Sequence, residues 1–234
     1  MQRKKKPQPN RFPTIPRVSD PWNYTWVVTK EGGYWRRKRG TVKPAPLNTT
    51  LQLNADITRL TNDAAKKMVL RLQPFLQEME TGRLTARIGG KLKKALAKNN
   101  CIDFSFFGDF DIQTEYPLRN ILQKPCSISI NRKDAIIQIP IQNRTVVLPK
   151  RGATEYYFEA IWLYGNPAGD NELRIESVSS ALFPLKNTRE TTCNLVVPVP
   201  DKKPYMIFLK LSCLNGNALA TQPCFFGMQV IQTG

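Results

Sequence analysis

The chain contains no histidine among its 234 residues. Histidine supplies the general base of Ser-His and Cys-His pairs, and it is the commonest ligand of catalytic zinc. Its absence therefore excludes these kinds of active site within this chain. Catalysis would have to rely on carboxylate, lysine or cysteine side chains alone.

The densest group of carboxylates lies in the segment DFSFFGDFDIQTE, which holds Asp103, Asp109, Asp111 and Glu115. A two-carboxylate hydrolase or a cation site could use such a group. However, Asp109 and Asp111 alternate with apolar residues, which is typical of a half-buried strand whose acids face water. No calcium-binding loop motif surrounds them. We therefore predict no catalytic residue, no metal site and no cofactor.

Basic residues are distributed very unevenly along the chain, which has a formal net charge of +17. Residues 1–50 hold 12 Lys and Arg against two acids, and residues 51–100 hold 10 against four. Residues 101–234 are nearly balanced, with 13 against 12. This segregation predicts a polyanion-facing region attached to a neutral body. A cationic surface that serves only solubility is the alternative.

Three basic clusters are the candidate contacts, because Lys and Arg attract phosphate backbones through counterion release. The predicted polyanion-binding residues are Lys4, Lys5, Lys6, Arg36, Arg37, Lys38, Arg39, Arg83, Arg87, Lys91, Lys94 and Lys98. Trp26, Tyr34 and Trp35 interleave with the second cluster and could stack on unpaired bases. Alternatively, these aromatic rings join the hairpin to the helices, with the cations lying around them.

The first fifty residues read as a Pro-rich basic arm followed by a β-hairpin. Prolines up to Pro21 favour an extended arm. Aromatic and β-branched runs flank Gly32 and Gly33, which predicts a hairpin with strands at Tyr24 to Lys30 and Tyr34 to Arg39. Strand alternation would place Trp35, Arg37 and Arg39 on one face, and Tyr34, Arg36 and Lys38 on the other.

Two helices are predicted between residues 51 and 100. The first begins at Thr61 or Asn62 and carries apolar residues at three- and four-residue intervals to Met79, with a kink or break at Pro74. The second carries Leu84, Ile88, Leu92, Ala95 and Leu96 on one stripe and the basic cluster from Arg83 to Lys98 on the next. Gly89 and Gly90 favour a bend or break within it.

From Cys101 the sequence changes to short runs of period-two or apolar character, starting with IDFSFFGDFDI and separated by turn-forming stretches. This rhythm predicts an antiparallel β-sandwich. Pro140 and Pro198 favour edge strands or strand ends. The predicted fold is mainly β with a helical segment, divided into a basic arm and hairpin (1–50), a basic helical segment (51–100) and a sandwich (101–234).

The five cysteines are widely spaced without a CxxC pair, which is typical of reduced thiols rather than a disulfide framework or zinc site. The basic N-terminus lacks the apolar core of a signal peptide, and no run is long enough to span a bilayer. We expect an intracellular protein, or one within a particle, without membrane insertion.

The order of a basic Pro-rich start, a GGYWRRKRGTVKPAP hairpin, paired helices and C-terminal strands resembles a loose group of uncharacterised bacterial proteins. The resemblance implies this architecture and no activity. The strands after Ala153 are similar in rhythm to fibronectin and immunoglobulin-like modules, although no Cys-Trp-Cys signature accompanies them.

These features predict a non-enzymatic binding or assembly protein whose first hundred residues contact nucleic acid or a nucleoprotein particle. The β-sandwich would serve as a body that contacts protein partners or further copies of the chain. One alternative is a structural subunit of a phage or secretion particle, whose basic arm contacts acidic protein neighbours. Another is a carboxylate-dependent enzyme that uses the group around Asp109.

Overall fold

A computed structural model describes residues 24–29, 32–37, 48–131, 133–148, 152–169, 173–186, 189–200, 203–216 and 218–234. The chain divides into two compact units, residues 1–50 and 51–234. The fold is mainly β, with antiparallel sheets and a few helices. The predicted fold class is confirmed at this level.

The first unit contains an antiparallel hairpin of β1 (Tyr24–Thr29) and β2 (Gly32–Arg37), in which Trp26 lies opposite Trp35. The prediction that Gly32 and Gly33 separate the strands is wrong, because both belong to β2. A Cβ atom on Gly33 would lie 2.3 Å from the Cζ2 atom of Trp26. Glycine is therefore required here to make room for the indole, rather than to form a turn.

Helix α1 (Thr49–Leu72) begins twelve residues before the predicted start. Its first three turns are mostly exposed, so they lack the core periodicity that marks the second half, where Ala65, Met68 and Leu72 are buried. A 3₁₀ turn (Gln73–Phe75) follows, in agreement with the predicted break. Pro74 cannot supply the N–H that would continue the α-helical hydrogen bonds.

Helix α2 (Leu84–Asn99) is continuous, so the sequence is wrong in favouring a break at Gly89 and Gly90. A Cβ atom on Gly89 would lie 2.9 Å from Asn62 Oδ1 and 3.8 Å from the Cβ atom of Ala65. The missing side chain at Gly89 therefore lets α1 and α2 approach closely. Close packing between helices is a common reason for a glycine inside a helix.

The larger sheet of the second unit is built around β5 (Glu155–Tyr164) and β9 (Tyr205–Asn215), which pair along their whole lengths. The outer edge of β9 pairs with β10 (Ala218–Leu219) and β11 (Phe226–Thr233). The outer edge of β5 pairs with β6 (Arg174–Ser179) and β7 (Phe183–Pro184). Strand β9 is buried from Tyr205 to Cys213, so both faces of this sheet are covered there.

The smaller sheet has β4 (Asp134–Ile141) between β3 (Ser127–Ile130) and β8 (Thr191–Pro198). Burial alternates along β8, which is typical of a sheet with one face on the core. Pairing between β3 and β4 ends at Gln138, so β4 is an edge strand on that side when it reaches Pro140. Pro198 is the last residue of β8.

The run at residues 102–112 does not form the predicted strand. Phe104, Phe107 and Phe110 are buried on successive turns, and each turn is closed by an N–H to C=O hydrogen bond of 3.0 or 3.1 Å. The controlling period is three residues rather than two. The chain then runs along the edge of β11, where Ile112 N–H donates to the Met228 carbonyl at 2.9 Å.

Gln113 fixes this segment to its surroundings and is fully buried. Its side-chain oxygen accepts a hydrogen bond from the backbone N–H of Glu80 at 2.8 Å, and its Nε2 donates to the Phe226 carbonyl at 2.7 Å. One side chain thus joins the connection between α1 and α2 to the start of β11. This contact helps to hold α2 beside residues 109–119.

Candidate polyanion-binding site

Helix α2 places most of its cations on one side, next to the stripe that packs in the core, whereas Lys93 lies on another side and donates to Thr58 Oγ1 of α1. Between Leu84 and Asn99 the helix contains no acidic residue, and Arg83 directly precedes it. Ile88, Leu92 and Ala95 are buried on the core side. We call the group Arg83, Arg87, Lys91, Lys94 and Lys98 the α2 cationic stripe.

The side chains of this stripe differ in exposure. Arg83, Lys94 and Lys98 are exposed, whereas Arg87 and Lys91 are half-buried. Arg83 also has a left-handed backbone conformation, with φ of 56°, where it forms the N-cap of α2. The stripe therefore has a partly buried portion near the middle of the helix and exposed lysines toward its C-terminal end.

Arg87 is held by contacts within the protein. Its guanidinium donates to the backbone carbonyls of Ile112, at 2.9 Å, and of Asp111. The guanidinium carbon also lies 4.8 Å from the centroid of the Phe110 ring. Burial lowers the pKa of Arg87, and the charge of Asp111 partly opposes that shift. Arg87 thus stabilises the segment opposite α2 and has little freedom to meet a ligand.

Asp111 and Asp109 lie close to these cations, which the sequence had not indicated. The carboxylate of Asp111 accepts a hydrogen bond from the Leu118 N–H at 3.3 Å. Burial raises the pKa of Asp111, opposed by that hydrogen bond and by the positive charges of Arg119 and Arg87. Asp109 is exposed and has a left-handed φ of 55°. The predicted water-facing strand is thus replaced by a turn that brings both acids to α2.

A cleft of about 490 Å³ separates the helix from this turn. We call it the α2 cleft. Its walls carry four cations, Arg87, Lys91, Lys94 and Arg119, against Asp109 and Asp111. Because Arg87 and Asp111 are already engaged by the protein, the groups left to meet a ligand are mainly lysine and arginine.

Two lysines of the stripe lie over aromatic rings. Lys91 Nζ is 6.0 Å from the centroid of Phe110, and Lys98 Nζ is 5.6 Å from that of Phe106. Phe110 is buried, but Phe106 is partly exposed. An exposed ring beside a lysine is a combination that can hold a base and its phosphate.

The end of α2 is closed by a hydrogen-bonded network around Asp103. Its carboxylate accepts from Asn99 Nδ2 at 2.8 Å and from the Ser105 N–H at 3.0 Å. Desolvation raises the pKa of Asp103, but hydrogen bonds from Ser105, Asn99 and Cys101 outweigh it, so the pKa is lowered overall. Asp103 therefore stays ionised near the exposed lysines and fixes the turn that carries Phe106.

The hairpin presents its predicted residues differently. Trp26 and Trp35 pack on each other, with ring centroids 5.3 Å apart. Tyr34, which is 51% exposed, alternates onto the other face together with exposed Arg36. Tyr34 and Arg36 are thus the aromatic and cationic pair that this hairpin offers to solvent.

Several predicted contact residues lie outside the described part of the chain, namely Lys4, Lys5, Lys6, Lys38 and Arg39. Arg37 lies in β2 by its backbone. The residues that sequence reasoning missed are Arg119, Phe106 and Phe110. The three-residue spacing of Phe104, Phe107 and Phe110 was a signal for Phe110, but the same run also fits a strand; no sequence pattern singled out Phe106 or Arg119.

The comparisons with known proteins give no relative: no protein-family model, no curated protein and no solved structure matches the chain. Among the described residues, no helix has the length and apolar character to cross a membrane. In the same part of the chain, no group of three or more Cys, Asp and Glu side chains is arranged to hold a metal ion.

Proposed function

We propose that this protein is a non-enzymatic binding or assembly protein that contacts a polyanion, with nucleic acid as the favoured partner. The exposed lysines of the α2 cationic stripe carry this proposal. They lie on a helix without acids, beside a cleft whose walls are rich in cations. Lys and Arg attract a phosphate backbone without requiring a particular base sequence.

The contacts of the stripe support a structural role for Arg87 and a binding role for the exposed lysines. Arg87 stabilises the segment that forms the opposite wall of the α2 cleft, through its contacts with Asp111 and Ile112. Lys94 and Lys98 remain exposed, and Phe106 offers a partly exposed ring near Lys98. We infer that these two lysines make phosphate contacts and that Phe106 stacks on an unpaired base.

The hairpin supports a second, separate contact. Tyr34 and Arg36 share an exposed face, which suits stacking combined with a phosphate contact. On the sequence evidence, the same electrostatic attraction would be increased by Lys4 to Lys6, Lys38 and Arg39.

We also propose that the two sheets of the second unit pack face to face as an immunoglobulin-like β-sandwich. We further propose that the protein acts inside a cell or within a particle. The buried sides of β4, β8, β5 and β9 belong to one hydrophobic core cluster, which supports this arrangement.

A salt titration tests the polyanion contact. Binding of a fluorescein-labelled single-stranded oligonucleotide is measured by anisotropy for the full chain and for Lys94→Gln/Lys98→Gln. The slope of log affinity against log salt should become shallower by about 1.4, that is, about 0.7 for each lost phosphate contact.

The matched control is Lys133→Gln/Lys203→Gln, which removes the same charge at two exposed positions outside α2 and outside the lining of the α2 cleft. It should leave the slope close to that of the wild type. The proposal is wrong if the wild type does not bind at about 50 mM salt, or if both double variants lose the same slope.

A further inference from the structure

A second cleft adjoins the α2 cleft. It has a volume of about 440 Å³, and its lining combines the aliphatic side chains of Leu122, Ile128 and Ile231 with the polar side chains of Gln123 and Gln229. Asp109 and Arg119 line both clefts, so the two clefts are neighbours at these residues, and we call the pair of clefts the groove. We call this second part the apolar cleft.

Two strand edges contribute side chains to the apolar cleft. Within the described residues, β3 pairs with β4 alone, so its other edge carries no strand. Residues 110–112 pair with β11, and this pairing ends where the Val230 N–H donates to the Phe110 carbonyl. A register shift follows between Val230 and Gln232, at Ile231. Irregularities of this kind redirect side chains and end strand pairing.

Gln229 gives the apolar cleft an unusual polar group. The residue is only 9% exposed and lines the cleft. In the described part of the chain, its side-chain amide has no hydrogen-bond partner. The amide offers one acceptor and two donors to a ligand in the cleft. The backbone of an extended peptide provides the complementary N–H and C=O groups.

The charges along the groove indicate the polar part of the ligand. Arg119 is exposed at the junction of the two clefts, and Lys91 and Lys94 lie beyond it in the α2 cleft. Asp109 opposes them, but it is one carboxylate against three cations that are not held by protein hydrogen bonds in the described residues. A chain that follows the groove from the apolar cleft therefore meets positive charge.

We propose that the apolar cleft docks an extended segment of a partner protein, in which an aliphatic side chain is followed by acidic residues. The aliphatic side chain packs on Ile128 and Ile231, and the segment's backbone pairs with the amide of Gln229. Its acidic side chains reach Arg119 and then Lys91. This site does not depend on the proposed function, because the inferred phosphate contacts are Lys94 and Lys98, whereas the peptide would use the apolar cleft, Arg119 and Lys91.

The probe is a fluorescein-labelled peptide of sequence EIEIEIE, with KIKIKIK as the charge-reversed control. The full chain should bind the first peptide more tightly than the second. Ile128→Asp should weaken binding of EIEIEIE at least about tenfold, because it places a carboxylate where the aliphatic side chain is buried. Ile130→Asp is the matched control on the same strand; Ile130 is exposed and lies outside the cleft lining.

Gln229→Leu separates a binding role from a structural one. It removes the unpartnered amide while keeping a similar volume, so thermal stability should stay the same or rise. Binding of EIEIEIE should nevertheless fall about fivefold, through the lost hydrogen bonds.

The docking proposal is overturned if the wild type does not bind EIEIEIE, or if Ile128→Asp binds it as well as Ile130→Asp does. It is also overturned if KIKIKIK binds equally well. Oligonucleotide binding is measured on the same variants and should not change with Ile128→Asp. A failure of the peptide site is thereby distinguished from a failure of nucleic-acid binding.

Discussion

Arg87 and Lys94 lie two turns apart on the same side of α2, and they carry the same charge in opposite circumstances. Arg87 donates to two backbone carbonyls and packs over a buried phenylalanine. Lys94 is exposed at the rim of the α2 cleft. A row of cations that looks uniform in sequence is thus part scaffold and part surface. Only the exposed cations are available to contact a partner.

The acids beside the helix show the same contrast. Asp111 lies near Arg87, and burial raises its pKa. Asp103 lies at the C-terminal end of α2, where several hydrogen bonds lower its pKa overall. Burial therefore disfavours the ionised form of Asp111, whereas the ionised form of Asp103 stabilises its turn through hydrogen bonds.

The largest expected effect is the loss of stability when Arg87 is removed. Arg87→Ala should lower the free energy of unfolding by about 1.5–2 kcal/mol, because two partly buried carbonyls lose a charged donor. Lys94→Ala should change it by less than about 0.5 kcal/mol, as for an ordinary surface position. Urea unfolding of both variants measures the difference. Equal effects would show that the two cations are not distinct.

The two glycines of α2 extend the contrast to two different sides of the helix. Gly90 has open space around its Cβ position, so Gly90→Ala should stabilise the protein by about 1 kcal/mol through helix propensity. Gly89→Ala should gain less, because its new methyl meets Asn62 Oδ1. In an Asn62→Ala background the two substitutions should become equal. A persistent difference there would contradict this explanation.

The pKa shifts of Asp103 and Asp111 predict opposite pH dependences of the free energy of unfolding. The stabilisation from ionised Asp103 is present above its ordinary pKa of 3.8 and is lost as the pH falls through the lowered value. Asp111 has a raised pKa, so its contribution is full below 3.8 and is lost as the pH rises through the raised value.

Asp103→Asn should therefore be destabilising at neutral pH, with a difference from the wild type that shrinks toward about pH 3. Asp111→Asn should become more favourable, relative to the wild type, as the pH rises over the same interval. Unfolding by urea at several pH values measures both trends. The contrast fails if the two variants show the same sign of pH dependence.

The smallest expected effect is on binding at Asp109. This exposed carboxylate faces the junction of the two clefts, so Asp109→Asn should strengthen binding of an anionic probe about twofold at low salt. The gain should disappear at about 1 M salt, where surface charges are screened. Anisotropy titrations with oligonucleotide and EIEIEIE measure it. Weaker binding would indicate that Asp109 contacts the ligand favourably.

Much of the β structure could be predicted from local pattern. The runs that became β4, β5, β8, β9 and β11 alternate or are wholly apolar, and their lengths suit strands. The start of α1 could not be predicted, because the exposed turns from Thr49 carry no core periodicity. The phenylalanines at 104, 107 and 110 misled the assignment, since a short apolar run does not distinguish a strand from a series of turns.

The candidate site was only half visible in the sequence. The cationic stripe follows from helical spacing, so Lys94 and Lys98 could be selected as surface cations. The proximity of α2 to Asp109, Asp111 and Arg119 could not be predicted. It depends on Gln113 and on pairing with β11, which begins more than a hundred residues later.

The sequence by itself determined the excess of positive charge, the absence of histidine, the mainly β character and the alignment of Arg83, Arg87, Lys91, Lys94 and Lys98 along one side of α2. These properties depend on composition and on local periods of two and 3.6 residues, which are set by backbone geometry. The tertiary structure decided which cation is a structural anchor, where the acids lie and how the two clefts join. Burial and hydrogen-bond partners come from distant parts of the chain, and local spacing carries no information about them.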